Sequence, residues 1–250
     1  MPITSPEAGT RIDEIAASIY RISTPVPPNP ALPAGFTFNQ FLIVDDEPLL
    51  FHTGMRRIFP LVRDAVASVM PVAKLRWISF SHLEADESGS LVEWLAAAPG
   101  AAPLCGRLGA MLSVEDAAGR APRVLADGET MALGTKSVRW FDTPHLPHGW
   151  DAGYLSETST RTLLCGDLFT QAGAAPAPVT ESDIVGPSEA MRAAMDYYSN
   201  PRAAAVQIER LAASEPALLA CMHGSSYRGD GAAALRSLAK ILSAPEGSAR

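Results

Sequence analysis

The chain has few cysteines, little charge and no long uninterrupted apolar run. Its three cysteines, Cys105, Cys165 and Cys221, are an odd and sparse set that cannot form a disulfide framework, and they fit a reducing compartment. Only 19% of the 250 residues are charged, and the formal net charge is -7. The lysines and arginines are scattered, so no basic stripe tracks a polyanion, which argues against nucleic acid as a partner. No uncharged apolar run approaches the ~20 residues that a bilayer span needs. The opening "MPITSPEAGTRIDEIAASIY" lacks the basic-then-apolar order of a secretion signal. A soluble, cytoplasmic protein with no membrane contact is expected.

What is present is apolar material in short pieces. At 47% hydrophobic residues, the chain can close one sizeable core, so a single domain over residues 1–250 is expected. No internal repeat and no flexible linker interrupts it. Residues 14–23, "EIAASIYRIS", and 40–51, "QFLIVDDEPLLF", read as opening strands, with "DDEP" reversing the second into a hairpin. Between them "TPVPPNPALPAGF" is too rich in proline for a sheet interior; it is expected as a surface loop that could form the lip of a pocket.

Helical spacing in "FPLVRDAVASVM" precedes a short buried strand, "KLRWISF", and "SLVEWLAAA" is helical again. Short apolar runs alternate with Gly-containing turns from "RVLADGETMAL" to "RTLLCGDLF", as a second sheet would. Helices are expected over "PSEAMRAAMDYYS", "PRAAAVQIERLAA" and "AAALRSLAKIL", with a strand at "ALLACMH". The alternation suggests two sheets packed face to face with helices outside.

The stretch between "KLRWISF" and "SLVEWLAAA" holds the first chemistry-bearing group, "HLEADE", residues 82–87. In an extended segment His82, Glu84 and Asp86 would point to one side and form a row of metal donors. Alternatively the acids belong to a solvated turn that favours a helix N-terminus. Further donors stand at or just beyond the ends of apolar runs: His148, Asp167 in "LLCGDLF" and His223 in "CMHGSS". Each alone has an ordinary reading as a turn or capping residue, but their joint occurrence in this order points to a metal centre.

The order and spacing resemble the metallo-β-lactamase superfamily, and within it the di-iron branch of flavodiiron proteins and their stand-alone oxygen-binding relatives. That branch carries H-x-E-x-D-H, then a lone His, a bridging Asp and a last His-Gly. The corresponding residues are His82 to Glu87, His148 in "PHLPHGWDAG", Asp167 in "CGDLF" and His223 in "MHGSS". All but one agree. The hydrolytic branch has a second His where this chain has Glu84, so that acid favours the di-iron branch. The likeness extends through "FNQFLIVDD" and "LLFHTG" to essentially the whole chain.

The resemblance implies an α/β fold, the αββα sandwich of two mixed β-sheets flanked by helices, with the site at one edge where the sheets meet. One metal would be held by His82, Glu84 and His148, the other by Asp86 and His223, with Asp167 bridging. Glu87 stands where the branch has His, and would either add a carboxylate ligand or leave a water there. His52 stands where the superfamily usually has an Asp near the site. His145 is a further donor, but His148 precedes Asp151 by three residues, as in the family's H-W-P-D pattern. His145 then falls beside the site. Trp150, Phe169 and Tyr227 flank the same loops and are expected to wall the pocket. Cys165 and Cys221 are expected as small buried strand residues.

Four carboxylates and three imidazoles around two divalent cations suit iron best, with zinc or manganese possible. The resemblance implies a di-iron protein that binds, senses or, with a separate electron donor, reduces dioxygen or a related small oxidant. The flavodoxin-like domain of flavodiiron proteins is not expected in these 250 residues, so no FMN is expected in this chain and electrons would come from a separate redox partner. A homodimer is expected by resemblance. The alternatives are a dinuclear hydrolase that activates water against an ester, lactone or phosphodiester, and a non-catalytic metal-binding module.

Overall fold

Alternation of side chains along the first strands decides where each layer forms. The computed structural model describes residues 3–244. In β2 (Thr10–Ala16) and β3 (Ile19–Val26), Ile12 and Ile22 face one side while Ile15 and Ile19 face the other. In β4 (Phe36–Ile43), Leu42 joins the first set and Phe41 and Ile43 the second. A sheet apolar on both faces must be covered on both. The complete sheet adds β1 (Ile3–Ser5), β5 (Leu49–Phe51), β6 (Trp77–Ser79), β7 (Ala102–Gly106) and β8 (Arg123–Leu125), ordered β1 to β8. Pairing is antiparallel up to β5 and parallel from β5 to β8.

The second sheet contains β9 (Thr130–Ala132), β10 (Ser137–Asp142), β11 (Gly153–Glu157), β12 (Thr162–Leu164), β13 (Val179–Thr180), β14 (Leu218–Ala220) and β15 (Ser226–Arg228). Its order is β13-β15-β14-β12-β11-β10-β9, with β12/β14 and β13/β15 parallel. Between the sheets, Phe41, Ile43 and Phe51 meet Trp140, Leu155 and Leu164.

Helices cover the two outer faces. On the first sheet lie α1 (Phe59–Ala67), α2 (Ala85–Ser88) and α3 (Leu91–Ala97), followed by α4 (Arg107–Gly109) and α5 (Glu115–Ala118) around a π-helical turn. Val62, Val66 and Trp94 of this layer bury against Ile22 and Leu42. On the second sheet lie α6 (Val185–Met195), α7 (Pro201–Ala212) and α8 (Gly231–Ser243). Asn200 and Asp230 cap α7 and α8 by accepting from Ala203 N and Ala233 N. Ile208, Leu211, Leu235 and Leu238 then pack on Leu163 and Leu219. The expected αββα sandwich is borne out, and among the described residues no helix is long and apolar enough to cross a membrane.

Local expectations fared unevenly. "DDEP" does reverse β4 into β5. Residues 14–23 form parts of two strands, because the chain turns back at Ser18, whose φ is 57°. Pro25 remains in β3, opposite Thr37, so only the later part of the proline-rich stretch is a loop. The strand at Ala102–Gly106 was not anticipated, since alanine, proline and glycine are poor strand formers. Its parallel partners β6 and β8 on either side override that preference.

The turn from β11 to β12 depends on Glu157, whose buried carboxylate accepts from Ser159 N at 2.9 Å, Ser159 Oγ at 2.6 Å and Thr160 N at 2.8 Å. Burial alone would raise its pKa, but these donors outweigh it and hold the carboxyl below the usual value. Glu157→Ala is expected to cost roughly 1–3 kcal/mol in urea unfolding by leaving these donors unsatisfied. The contribution is complete above the ordinary carboxylate pKa and is lost as pH falls through the depressed folded value, so the wild-type and mutant stabilities should converge in acid.

Candidate metal centre

The "HLEADE" stretch supplies donors from a bend and a single helical turn, not from an extended row. After β6 the chain bends through Ser81–Glu84, Glu84 is extended (φ -139°, ψ 162°), and Asp86 and Glu87 occupy the single turn of α2. An extended row with alternate side chains on one side therefore does not describe it. A helical turn rotates successive side chains by about 100°, which lets the adjacent Asp86 and Glu87 both reach one cluster. That turn is tied down where the Glu87 carbonyl accepts from Thr53 N at 2.7 Å.

Two groups of donors converge at the sandwich edge. In the first, His82 Nε2 lies 3.0 Å from Glu84 Oε2 and 3.0 Å from His148 Nε2, and His148 Nε2 lies 2.8 Å from Glu84 Oε2. Asp167 Oδ2 stands 3.6 Å from both imidazole nitrogens. In the second group, His223 Nε2 lies 3.5 Å from Asp86 Oδ2, with Glu87 completing the set. Asp167 Oδ1 is 3.2 Å from His223 Nε2. The two oxygens of one carboxylate therefore face different groups. Each group could hold a metal ion.

The far side of each ring is fixed. His148 Nδ1 donates to the Tyr197 carbonyl at 2.9 Å and His223 Nδ1 to the Thr37 carbonyl at 2.8 Å. A carbonyl can only accept, so in the neutral rings the Nε2 lone pair is turned into the cluster. His82 Nδ1 meets Ser81 Oγ at 3.0 Å, and the same hydroxyl meets His52 Nε2 at 3.2 Å. Burial lowers His52 to about 3, so it is a neutral member of this chain, one hydroxyl removed from His82.

The loop carrying His223 is clamped by the first sheet. Asn39 Nδ2 donates to the carbonyls of Cys221 and Gly224 at 2.9 and 3.0 Å. The buried Arg21 donates to Gly224 O at 2.8 Å, and Thr37 Oγ1 accepts from Gly224 N at 2.9 Å. Gly224 has φ +89°, and a Cβ there would lie 2.6 Å from Gln171, so only glycine fits the turn.

The charges are unbalanced without cations. Hydrogen bonds from His148 and then His82 hold Glu84 at about 2. The Glu84 bond, opposed by burial and helped by Asp167, raises His148 to about 9. Burial would raise Asp167, but the bond from His223 and the charges of His82, His223 and His148 keep it below the usual range. Glu87 goes the other way: burial, then Asp167 and Asp86, push it well up. Its side chain is fully buried, and neither oxygen has a hydrogen-bond partner among the described residues. A second positive charge at that point would relieve this, so the donor set fits a pair of divalent cations.

A cleft of about 300 Å³ opens onto the donors, and its other walls are Leu32, Phe36, Phe38, Thr170, Met195 and Tyr197. Phe36 stacks on His223 with centroids 4.3 Å apart. Leu32 lies in the proline-rich loop, which does form a lip. Sequence reasoning missed Phe36, Phe38 and Tyr197, together with Arg21, Asn39 and Ser81 behind the donors. Only Ser81, next to His82, carried a signal, by adjacency.

The remaining candidates lie elsewhere. His145 is exposed and belongs to neither donor group; with the 57% exposed Trp150 it lines a separate surface cleft behind His82 and His148. Tyr227 does not wall the site. It sits in β15 and lines a different cleft, with Asp230 and Ala233, because the strand carries it away from the His223 turn. Phe169, Cys165 and Cys221 are core residues with no exposure, and burial pushes the Cys165 thiol up.

A two-sheet sandwich with histidines and carboxylates converging from strand ends and loops at one edge is the metallo-β-lactamase arrangement. Residues 36–224 match the family described as ODP family beta lactamase, and the chain belongs to that family. It is 29% identical over 172 residues to the rubredoxin-oxygen oxidoreductase of Megalodesulfovibrio gigas, covering 67% of this chain and 42% of that protein. The solved rubredoxin oxygen:oxidoreductase from Desulfovibrio gigas superposes with a TM-score of 0.78 at 23% identity, over 93% of this chain and 61% of that one. The Flv1 flavodiiron core from Synechocystis sp. PCC6803 gives 0.81 at 19% identity, over 96% and 62%. The chain thus spans less than two thirds of the length of these relatives.

Ser81→Ala removes the partner of His82 Nδ1 without touching a donor. It is expected to weaken divalent-metal binding by about 10–100-fold, read by chelator competition, and to cost the metal-free chain roughly 1–3 kcal/mol in unfolding, because buried nitrogens of His52 and His82 lose their partner.

Proposed function

We propose that this chain is a di-iron protein that binds dioxygen or a related small oxidant and, supplied with electrons by a separate donor, reduces it. The observation that carries this reading is the split carboxylate of Asp167. It stands between a group formed by His82, Glu84 and His148 and a group formed by Asp86, Glu87 and His223. Four carboxylates and three imidazoles form an oxygen-rich set suited to iron, and the names of two relatives, a rubredoxin-oxygen oxidoreductase and a flavodiiron core, support dioxygen and iron in turn.

Bound there, two iron ions would supply the one-electron redox chemistry that dioxygen reduction requires. The residues do the rest. Carbonyls at Thr37 and Tyr197 keep His223 and His148 in register, and the apolar cleft walls limit competing water. Full reduction consumes four electrons and four protons per dioxygen and yields two waters. Rubredoxin appears in the name of one relative, which supports a small electron-transfer protein as donor. Cytoplasmic location is supported by three free, buried thiols, and a homodimer by the resemblance alone.

The test is anaerobic purification with iron, metal analysis, and admission of oxygen while recording the visible spectrum. About two irons per chain and a new charge-transfer band are expected. Zinc without colour change, together with turnover of a generic ester, would favour the hydrolase reading instead. Glu87→His replaces an anion by a neutral donor and should raise the reduction potential of the centre in spectroelectrochemical titration, because an anionic ligand stabilises the more oxidised metal. An unchanged or lower potential would remove Glu87 from the ligand set.

A further inference from the structure

The cleft is larger than dioxygen needs. Dioxygen is little bigger than water, whose share of liquid volume is about 30 Å³, whereas the cleft holds about 300 Å³. That volume includes the space at the donors that two ions and an oxygen head would take, and the rest, beside Leu32, Phe36, Phe38 and Met195, is left for an organic body.

Its chemistry restricts the occupant. Leu32, Phe36, Phe38 and Met195 form the apolar part of the wall, and no lysine or arginine lines it. With Glu84, Asp86, Asp167, His148 and His223 engaged at the metal pair, the wall itself holds no lysine or arginine, so a charged substituent on the body of a ligand would find no partner along it. What fits is an uncharged molecule with an apolar body and a reactive oxygen head at the donors. Met195, 56% exposed at the rim, gives an unbranched side chain that can adapt to such a body.

We infer that this cleft takes an uncharged alkyl or aryl hydroperoxide, which the metal pair reduces to the alcohol. The inference rests on the di-iron reading and names its substrate class. The O–O bond breaks, the organic oxygen takes one proton to give ROH, and the other oxygen takes one proton to give water. Two iron ions held by the His82, Glu84, His148 and Asp86, Glu87, His223 groups would supply the two electrons, and the separate donor would restore them. Unlike complete dioxygen reduction, this step is balanced by the electrons of one reduced pair.

The experiment mixes the reduced protein anaerobically with cumene hydroperoxide or with hydrogen peroxide and follows iron oxidation by stopped flow. Cumene hydroperoxide is expected to react about tenfold faster or more, the scale of discrimination an apolar pocket gives, and to yield one 2-phenylpropan-2-ol per chain. Met195→Trp and Leu32→Trp, both filling the cleft at its rim, should lower the ratio of the two rates by a similar factor. In the metal-free chain, 2-phenylpropan-2-ol should show saturation-transfer NMR contacts that either variant weakens.

Equal rates, or a preference for hydrogen peroxide, overturn the inference, as does an alcohol that does not bind or a ratio that neither variant changes. A protein that holds two irons and reacts with dioxygen yet shows no preference for cumene hydroperoxide refutes the substrate class alone. A protein that takes up no iron refutes the di-iron reading, while alcohol binding to the metal-free chain still tests the cleft separately.

Discussion

The site is organised around the division of one carboxylate between two sets of donors. Asp167 is buried at the end of β12, with one oxygen toward His82 and His148 and the other toward His223. An ion of that kind is costly to bury unless it is compensated on every side. Here three imidazoles compensate it, yet Glu84 and Asp86 bring further negative charge into the same space, and burial beside them pushes the Glu87 carboxyl well up. The arrangement becomes reasonable once the missing positive charge is counted as part of the design. Glu87, buried with both oxygens unpartnered among the described residues, marks where that deficit is greatest.

The fold delivers these groups from distant parts of the sequence by one device, the placement of donors just beyond strand ends at a single edge. β6 leads into His82, β12 into Asp167 and β14 into His223, while the connection between β10 and β11 brings His148. Behind the donors, α6 stops at Met195 because Asp196 adopts φ 48°. The break leaves the Tyr197 carbonyl free to receive His148, so the end of a helix fixes the tautomer of an imidazole.

Much of the site could be read before any coordinates, because its donors are rare residue types in an ordered series. With only five histidines in 250 residues, His82, His148 and His223 stand out, and their order relative to Asp167 carries the family pattern. The layered fold was legible for a similar reason, since apolar runs of period two and helical period alternate through the chain. The supports were not legible. Arg21, Asn39 and Thr37 lie on strands that read as ordinary β sequence, and their bonds to the His223 loop cross more than a hundred and eighty positions. Tyr227 failed as a wall residue because closeness in sequence to His223 says nothing about which way a turn sends the next strand. Phe36 and Phe38 were hidden by their setting, the last residues of a proline-rich loop and the first of a strand.

The clamp on the His223 loop ties completion of the site to completion of the fold. Arg21 belongs to β3, near the start of the chain, and Gly224 to its last quarter, 203 positions apart. Until the two sheets have docked, His223 has neither Thr37 behind its ring nor Arg21 and Asn39 on its loop, and the second donor group does not exist. A partly folded or nicked chain would therefore offer at most half a centre, one that captures an ion poorly. Conversely, any ion bound across both groups stabilises only the closed sandwich, so its binding energy appears as resistance to unfolding. The architecture thereby acts as its own quality control, withholding the complete donor set from molecules that have not finished folding.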